Sequence, residues 1–297
     1  MYAFLARRLL STIPVLLIVA VLVFLMLRLS PGDPAAILAG DAASTQQIAQ
    51  IRENLGLNRS IPVQFYYKTD VATLIGQRLE ATLSLATLTI VIAVLVAVPL
   101  GVLAAWRFGS LFDRMLMGFS VLGFSIPVFV LAYILIWIVS VKLGWLPVQG
   151  YKPLADGFWP YLRHLILPSV TLSVIYIALI ARVTRATVLD TLGEDYIRTA
   201  RAKGLPEIKV LVRHALSNAA VPILTIIGIG IALLIGGVVV TESVYAIPGL
   251  GRLTVDAVLA RDFPTIQGLI LLFSFAYVLV NLLVDLSYVI FDPRIRY

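Results

Sequence analysis

Chemistry on a protein needs groups that can work in pairs, and this chain has few. Cysteine is absent, and only two histidines occur, His164 and His214. The lack of cysteine rules out a thiol nucleophile and a zinc knuckle. No Gly-x-x-x-x-Gly-Lys-Ser/Thr run occurs, so no phosphate loop is expected to hold ATP. Neither a His-Glu-x-x-His pattern nor a Gly-x-Ser-x-Gly elbow is found. His214 reads as a packing or hydrogen-bonding residue, and His164 as interfacial. No catalytic residue and no metal ligand is expected. The polar groups that remain are patterned. Ser274, Tyr277, Asn281, Asp285 and Tyr288 recur at helical spacing and share one face. Within an apolar helix, such a face should turn to the bundle or to a water-filled path. It can line a translocation path or its inner gate, or it can hydrogen-bond to neighbouring helices.

The elements that carry this face are set by composition. The chain of 297 residues is 60% hydrophobic and only 13% charged, so it lacks the charge that wets a soluble surface. A spanning helix needs about 20 apolar residues. Six segments meet this: 9–27, 81–105, 115–141, 165–181, 219–240 and 266–290. The first is too long for a signal-peptide core and lacks a cleavage site. The fold class is therefore all-α, a polytopic membrane protein of about six helices in one domain covering 1–297. The net charge is +7. In so apolar a chain this reads as cytoplasmic loop charge, not as nucleic-acid binding. Arg7, Arg8, Arg107, Arg114, Arg182, Arg185 and the basic residues of 198–213 fall on one side, with Arg294 and Arg296. The positive-inside rule then puts both termini in the cytoplasm.

The connecting segments have characters of their own. Externally, 30–80 forms a cap. In it, Ser44 and Gln47 make a capping-box pattern ahead of a short helix that Gly56 ends. The stretch 145–159, rich in Pro, Gly and aromatics, suits the membrane interface. The external segment 242–265 holds the turn Ile247-Pro248-Gly249-Leu250-Gly251 and then a short helix at 254–260. On the inner side, 182–218 is long and basic. Residues 194–203 form a helix with acids at its start and bases at its end. Gly204 breaks it, and Pro206 opens the next helix. Such a helix lying across the inner face can dock a soluble partner or rest on anionic lipid. Thr225, Gly228, Ala232 and Gly236 make a small-residue stripe on the fifth span, for static packing or for sliding against a second subunit.

At the inner loop the sequence meets a known pattern. Asp195-Tyr196-Ile197-Arg198-Thr199-Ala200-Arg201-Ala202-Lys203-Gly204-Leu205 resembles the cytoplasmic signature of binding-protein-dependent ABC importers, in particular the dipeptide/oligopeptide/nickel permeases. Arg28-Leu29-Ser30-Pro31-Gly32-Asp33-Pro34 resembles that group's exit from its first helix. Phe124-Ser125-Ile126-Pro127-Val128-Phe129 resembles its third. Pro248-Gly249-Leu250-Gly251, Arg261-Asp262-Phe263-Pro264 and the ending Asp292-Pro293-Arg294-Ile295-Arg296-Tyr297 also match in order. The motif at 28–34 and the C-terminal motif favour the first of the two permease types.

The resemblance implies a type I ABC importer permease fold in the bacterial inner membrane. It implies a second permease subunit, two ATP-binding cassette ATPase subunits, an external solute-binding protein and a peptide cargo. ATP and magnesium would be bound by the ATPases, with no cofactor on this chain. Glu194, Asp195, Tyr196, Arg198, Thr199, Ala200, Arg201, Lys203 and Gly204 would then be the coupling contacts. Ser125 would join the polar face of the sixth span on the path. Pro248, Gly249, Gly251, Arg252, Arg261 and Asp262 would form an external docking loop.

Two departures stand out. The general importer signature has Glu-Ala-Ala where this chain has Arg198-Thr199-Ala200, and a proline where it has Ser217, as in the peptide subgroup. The external stretch near Tyr67-Lys68-Thr69-Asp70 is shorter than in relatives. The alternative function is a stand-alone secondary transporter, but no inverted repeat or cluster of buried acids supports it. Asp285 is expected to be satisfied by Arg294, Arg296, Arg182 or Arg185, or by backbone donors at the neck of the bundle, as a latch near the inner opening.

Overall fold

The computed structural model describes residues 13–14, 17–22, 25, 44–54 and 70–291. Every element in these residues is helical. Of the first expected span, 13–14, 17–22 and 25 are helical, and the rest lies outside the described residues. So do the motif at 28–34, the join at 67–69, Gly56, and the C-terminal motif with Arg294 and Arg296. Helix α1, Thr45–Asn54, starts as the sequence suggests. The Ser44 N–H donates to Gln47 Oε1 at 2.9 Å, and the Gln47 N–H returns to Ser44 Oγ at 3.4 Å. This reciprocal pair satisfies donors that the helix itself leaves free.

The expected spans appear with altered ends. Helix α2 is Val71–Trp106, 36 residues, and starts ten residues before the hydropathy does. At 1.5 Å per residue it is about 54 Å long, beyond the roughly 30 Å of hydrocarbon. Its first turns carry Gln77, Arg78 and Glu80, so part of the segment expected as a cap is this helix continued. The third span is not one helix. It divides into α3, Leu111–Ser125, and α4, Val128–Leu135, which continues as a π-helix over Ile136–Lys142. The two halves bend by 104°. Proline causes this: Pro127 has no N–H to continue the ladder and holds Ile126 extended, at φ −87° and ψ 119°.

Helix α5, Phe158–Leu192, is the fourth span, prolonged well past Ala181. Arg182 and Arg185 therefore stand on a rigid helix, not on a loop, and the connection that follows shortens accordingly. Then come α6, Asp195–Ala202, and the segment Glu207–Leu216, whose second part is a π-helix. A 64° bend leads into α7, Ala220–Val244. Helix α8 is Leu250–Leu259 and α9 is Phe263–Phe291. Among the described residues three helices are long and apolar enough to cross a membrane, or five with each bent pair counted as one span.

Two compact units divide the chain: 1–82 with 248–279, and 83–247 with 280–297. In the first, Leu74, Leu250, Leu253 and Leu269 pack together. The Leu250 N–H, free at the start of α8, donates to Thr82 Oγ1 at 2.7 Å. In the second, α5 packs against α3, α4 and α7. Two-thirds of its most apolar stretch is buried within the chain, which makes it the axis of that unit.

Candidate functional site

The expected coupling segment is built around α6. Its sequence puts one apolar pair, Ile197 and Ala200, on a single face. Both are buried in a cluster with Val102, Ala105, Val188, Val210, Leu211, Ala215, Ala219 and Ile223. Burying one isoleucine contributes about 1.5–3 kcal/mol, enough to hold so short a helix in place. The helix ends as expected. Gly204 takes φ +75°, and the Leu205 N–H reaches back to the Ala200 carbonyl at 3.3 Å. Pro206 precedes the first residue of the next segment.

The opposite face is open. Glu194, Tyr196, Arg198, Thr199, Lys203 and Gly204 are exposed. Burial against the chain and the neighbouring Glu194 carboxylate push the Tyr196 phenol up, so it stays a neutral donor. Two expected contacts are used inside the protein. Ala200 is buried, and Arg201 pairs with Glu207, Nε to Oε1 at 2.8 Å, across the Gly204 turn. Arg198 leans on Asp195 at 3.2 Å with both side chains exposed, an ion pair easily exchanged.

A second constellation lies where α3 and α5 meet, and sequence reading missed it. Asp113, 3% exposed, takes a two-pronged hydrogen bond from Arg185: Nε to Oδ1 at 2.9 Å and Nη2 to Oδ2 at 2.8 Å. Asp113 Oδ2 also accepts the Gly109 N–H at 3.0 Å, while its own N–H donates to Ser110 Oγ at 3.3 Å. The Phe108 ring lies 5.0 Å from the guanidinium carbon. Only the capping half of this constellation is signalled in the sequence, by Ser110-Leu111-Phe112-Asp113, with an acid at the third helical position. Above this pair, Arg182 lies over the Phe124 ring at 5.4 Å. Arg182 and Arg185 thus both have partners on or beside α3.

The polar face expected on the sixth span keeps its register along the continuous α9. Tyr288 OH and Thr225 Oγ1 are 2.8 Å apart, so this member ties α9 to α7. A Cβ on Gly228 would overlap Val284, so the lower part of the small-residue stripe packs within the chain. Ser274 Oγ donates to its own helix at Ile270, Tyr277 is exposed, and Asn281 and Asp285 are half-buried. Ser125 sits at the α3–α4 break, exposed, its Oγ donating to the Val121 carbonyl at 2.9 Å.

The 248–264 motifs, expected as an external docking loop, are largely scaffold. Gly249, Gly251 and Asp262 are buried. Asp262 caps α9, accepting the Thr265 N–H at 3.3 Å and the Thr265 hydroxyl at 2.9 Å. Pro248 and Arg261 are exposed, and Arg252 is half-buried. Among the described residues no group of three or more His, Asp or Glu could hold a metal ion.

Residues 97–297 match the family described as binding-protein-dependent transport system inner membrane component. Residues 1–82 match its N-terminal counterpart. The chain belongs to this family. It is a multi-pass inner membrane component, and its apolar helices are long enough to cross a bilayer. A probable peptide ABC transporter permease protein of Sinorhizobium fredii is 53% identical over 313 residues, covering 100% of both chains. A glutathione transport system permease protein of Salmonella typhimurium is 43% identical over 314 residues, again covering 100% of both. Both alignments exceed this chain's 297 residues, so both relatives carry residues that it lacks. The fold matches inward-facing conformations of the MetNI methionine ABC transporter. The TM-score is 0.61 at 18% identity, covering 74% of this chain and 97% of the other. The protein is an ABC importer permease, not a stand-alone secondary transporter.

Proposed function

We propose that this permease forms half of a peptide-import path and that α6 is the helix on which an ATPase subunit acts. One observation carries the reading: α6 is fixed from beneath by Ile197 and Ala200 while its other face stays polar and uncovered. Two ATP-binding cassette subunits would bind ATP and magnesium and hydrolyse the nucleotide. A second permease subunit would complete the path, and an external solute-binding protein would deliver cargo. Relatives named for peptides and for glutathione, itself a short peptide, favour peptide cargo. Closure of the ATPase pair stabilises one permease state over the other, which is all that alternating access requires.

Tyr196, Arg198, Thr199 and Lys203 would meet the ATPase. Ser125, Ser274, Tyr277, Asn281 and Asp285 would line the path or its inner gate. Pro248, Arg252 and Arg261 would face the binding protein. Both termini would lie in the cytoplasm, as would α6. A cysteine placed at Thr199, in a chain with none of its own, should react with an impermeant thiol reagent only from the inner side.

The test of the reading is co-purification in mild detergent from cells expressing the whole system, followed by labelled-peptide uptake. Recovery of an ATPase subunit with the permease supports it. Peptide uptake without that subunit would end it. Gly204→Leu should reduce ATPase recovery, because a left-handed residue with a side chain costs about 1–2 kcal/mol. The open space around Gly204 makes this a backbone effect and not a clash.

A further inference from the structure

We propose that the Asp113–Arg185 pair is a brace that makes α3 move with α5, so that motion of α6 reaches the Pro127 break. This rests on the transport reading above. The geometry runs in one line. Helix α6 stands on the cluster that includes Val188 of α5. One turn back along α5 is Arg185, held by Asp113 through two hydrogen bonds of 2.9 and 2.8 Å. Asp113 sits in the first turn of α3, and α3 ends at Ser125, where the chain turns through 104°.

The contact is more than one ion pair. Arg182 reaches the Phe124 ring at 5.4 Å, and a Cβ on Gly123 would lie 3.1 Å from Ala178 Cβ. Helix α3 is therefore gripped at both ends by the same face of α5. A planar guanidinium bonded to both carboxylate oxygens fixes orientation as well as distance, which a lysine could not do. Packing alone would let α3 slide along α5; the paired charges set its register. Asp113 and Arg185 are positioning residues, since neither is placed against cargo or nucleotide.

The experiment uses the complete transporter in proteoliposomes with its binding protein and a labelled peptide. Three quantities are read: ATPase subunit recovered per permease, ATP hydrolysed, and peptide taken up per ATP. In Asp113→Asn the complex is expected to assemble and hydrolyse ATP, while uptake per ATP falls about tenfold or more. Arg185→Lys should lie between that variant and the native chain. If uptake falls only as far as recovery of the complex falls, or if uptake per ATP is unchanged, the brace has no coupling role.

A second variant holds if the first does not assemble. Gly123→Cys with Ala178→Cys places the only two cysteines of the chain at the α3–α5 contact. Oxidation to the disulfide should leave uptake intact, because the two helices already travel together. Loss of uptake on oxidation, reversed by reductant, would mean that they must separate, and would overturn the proposal. Failure of an ATPase to accompany the native chain would instead count against the transport reading itself.

Discussion

Replacing Gly101 by leucine is expected to remove folded protein from the membrane altogether, and even alanine should cost stability. Gly101 lies in α2 where α5 crosses it. A Cβ there would sit 2.7 Å from the Ala181 carbonyl oxygen and 2.7 Å from Thr184 Cβ. One of these neighbours is backbone, so no rotamer change relieves the contact. Alanine gains about 1 kcal/mol of helix propensity over glycine, but overpacking of this kind costs about 1–3 kcal/mol. The second term wins, and leucine adds three more carbons to it. Gly76, in the same helix, is the control, since a Cβ there meets nothing within 4 Å. Gly76→Ala should leave recovery unchanged or raise it. Thermal aggregation of both alanine variants in detergent checks the pair. Equal midpoints would mean that the α2–α5 approach is looser than described.

That crossing shows what sequence could and could not supply. Hydropathy placed the centres of the spans well, because lipid exposure is a property of consecutive residues. It misjudged α2 and α5 at their ends, because a helix does not stop where the hydrocarbon does. It read 115–141 as one span, since summed hydropathy records no direction. Pro127 was visible, but a proline in a bundle can be absorbed by neighbours or can break the helix. Only the extended Ile126 decides between them. Local signals fared best: the Ser44–Gln47 box, the α6 helix and the Gly204 stop involve contacts within six residues. Asp262 was noticed as part of a motif and assigned outward, although an Asp three residues before Thr265 is also a cap, which is what it proves to be. The Asp113–Arg185 pair was beyond reach, because its halves lie 72 residues apart and nothing in either neighbourhood names the other.

That pair also sets the largest single-residue electrostatic effect. Arg185→Ala should destabilise the chain by about 3 kcal/mol, at the lower end of what breaking a buried ion pair costs. The carboxylate is the reason: its side chain is 4% exposed, and without Arg185 it keeps one hydrogen bond, from the Gly109 N–H, and the more distant charge of Arg114. The low end applies because the Arg185 side chain is 20% exposed, and water that reaches the guanidinium can enter after truncation. Removing both partners should be milder than removing arginine alone, because Asp113→Ala with Arg185→Ala leaves no charge stranded. The double variant should therefore recover about 1–3 kcal/mol relative to the sum of the single changes. Arg185→Lys should fall in between, keeping the charge but losing the second prong and the stacking on Phe108, the latter worth about 0.5–1 kcal/mol. Aggregation midpoints of the four proteins in one detergent close the cycle. Strictly additive losses would show that the two residues stabilise the chain independently, and that the bidentate pair is not what holds α3 to α5.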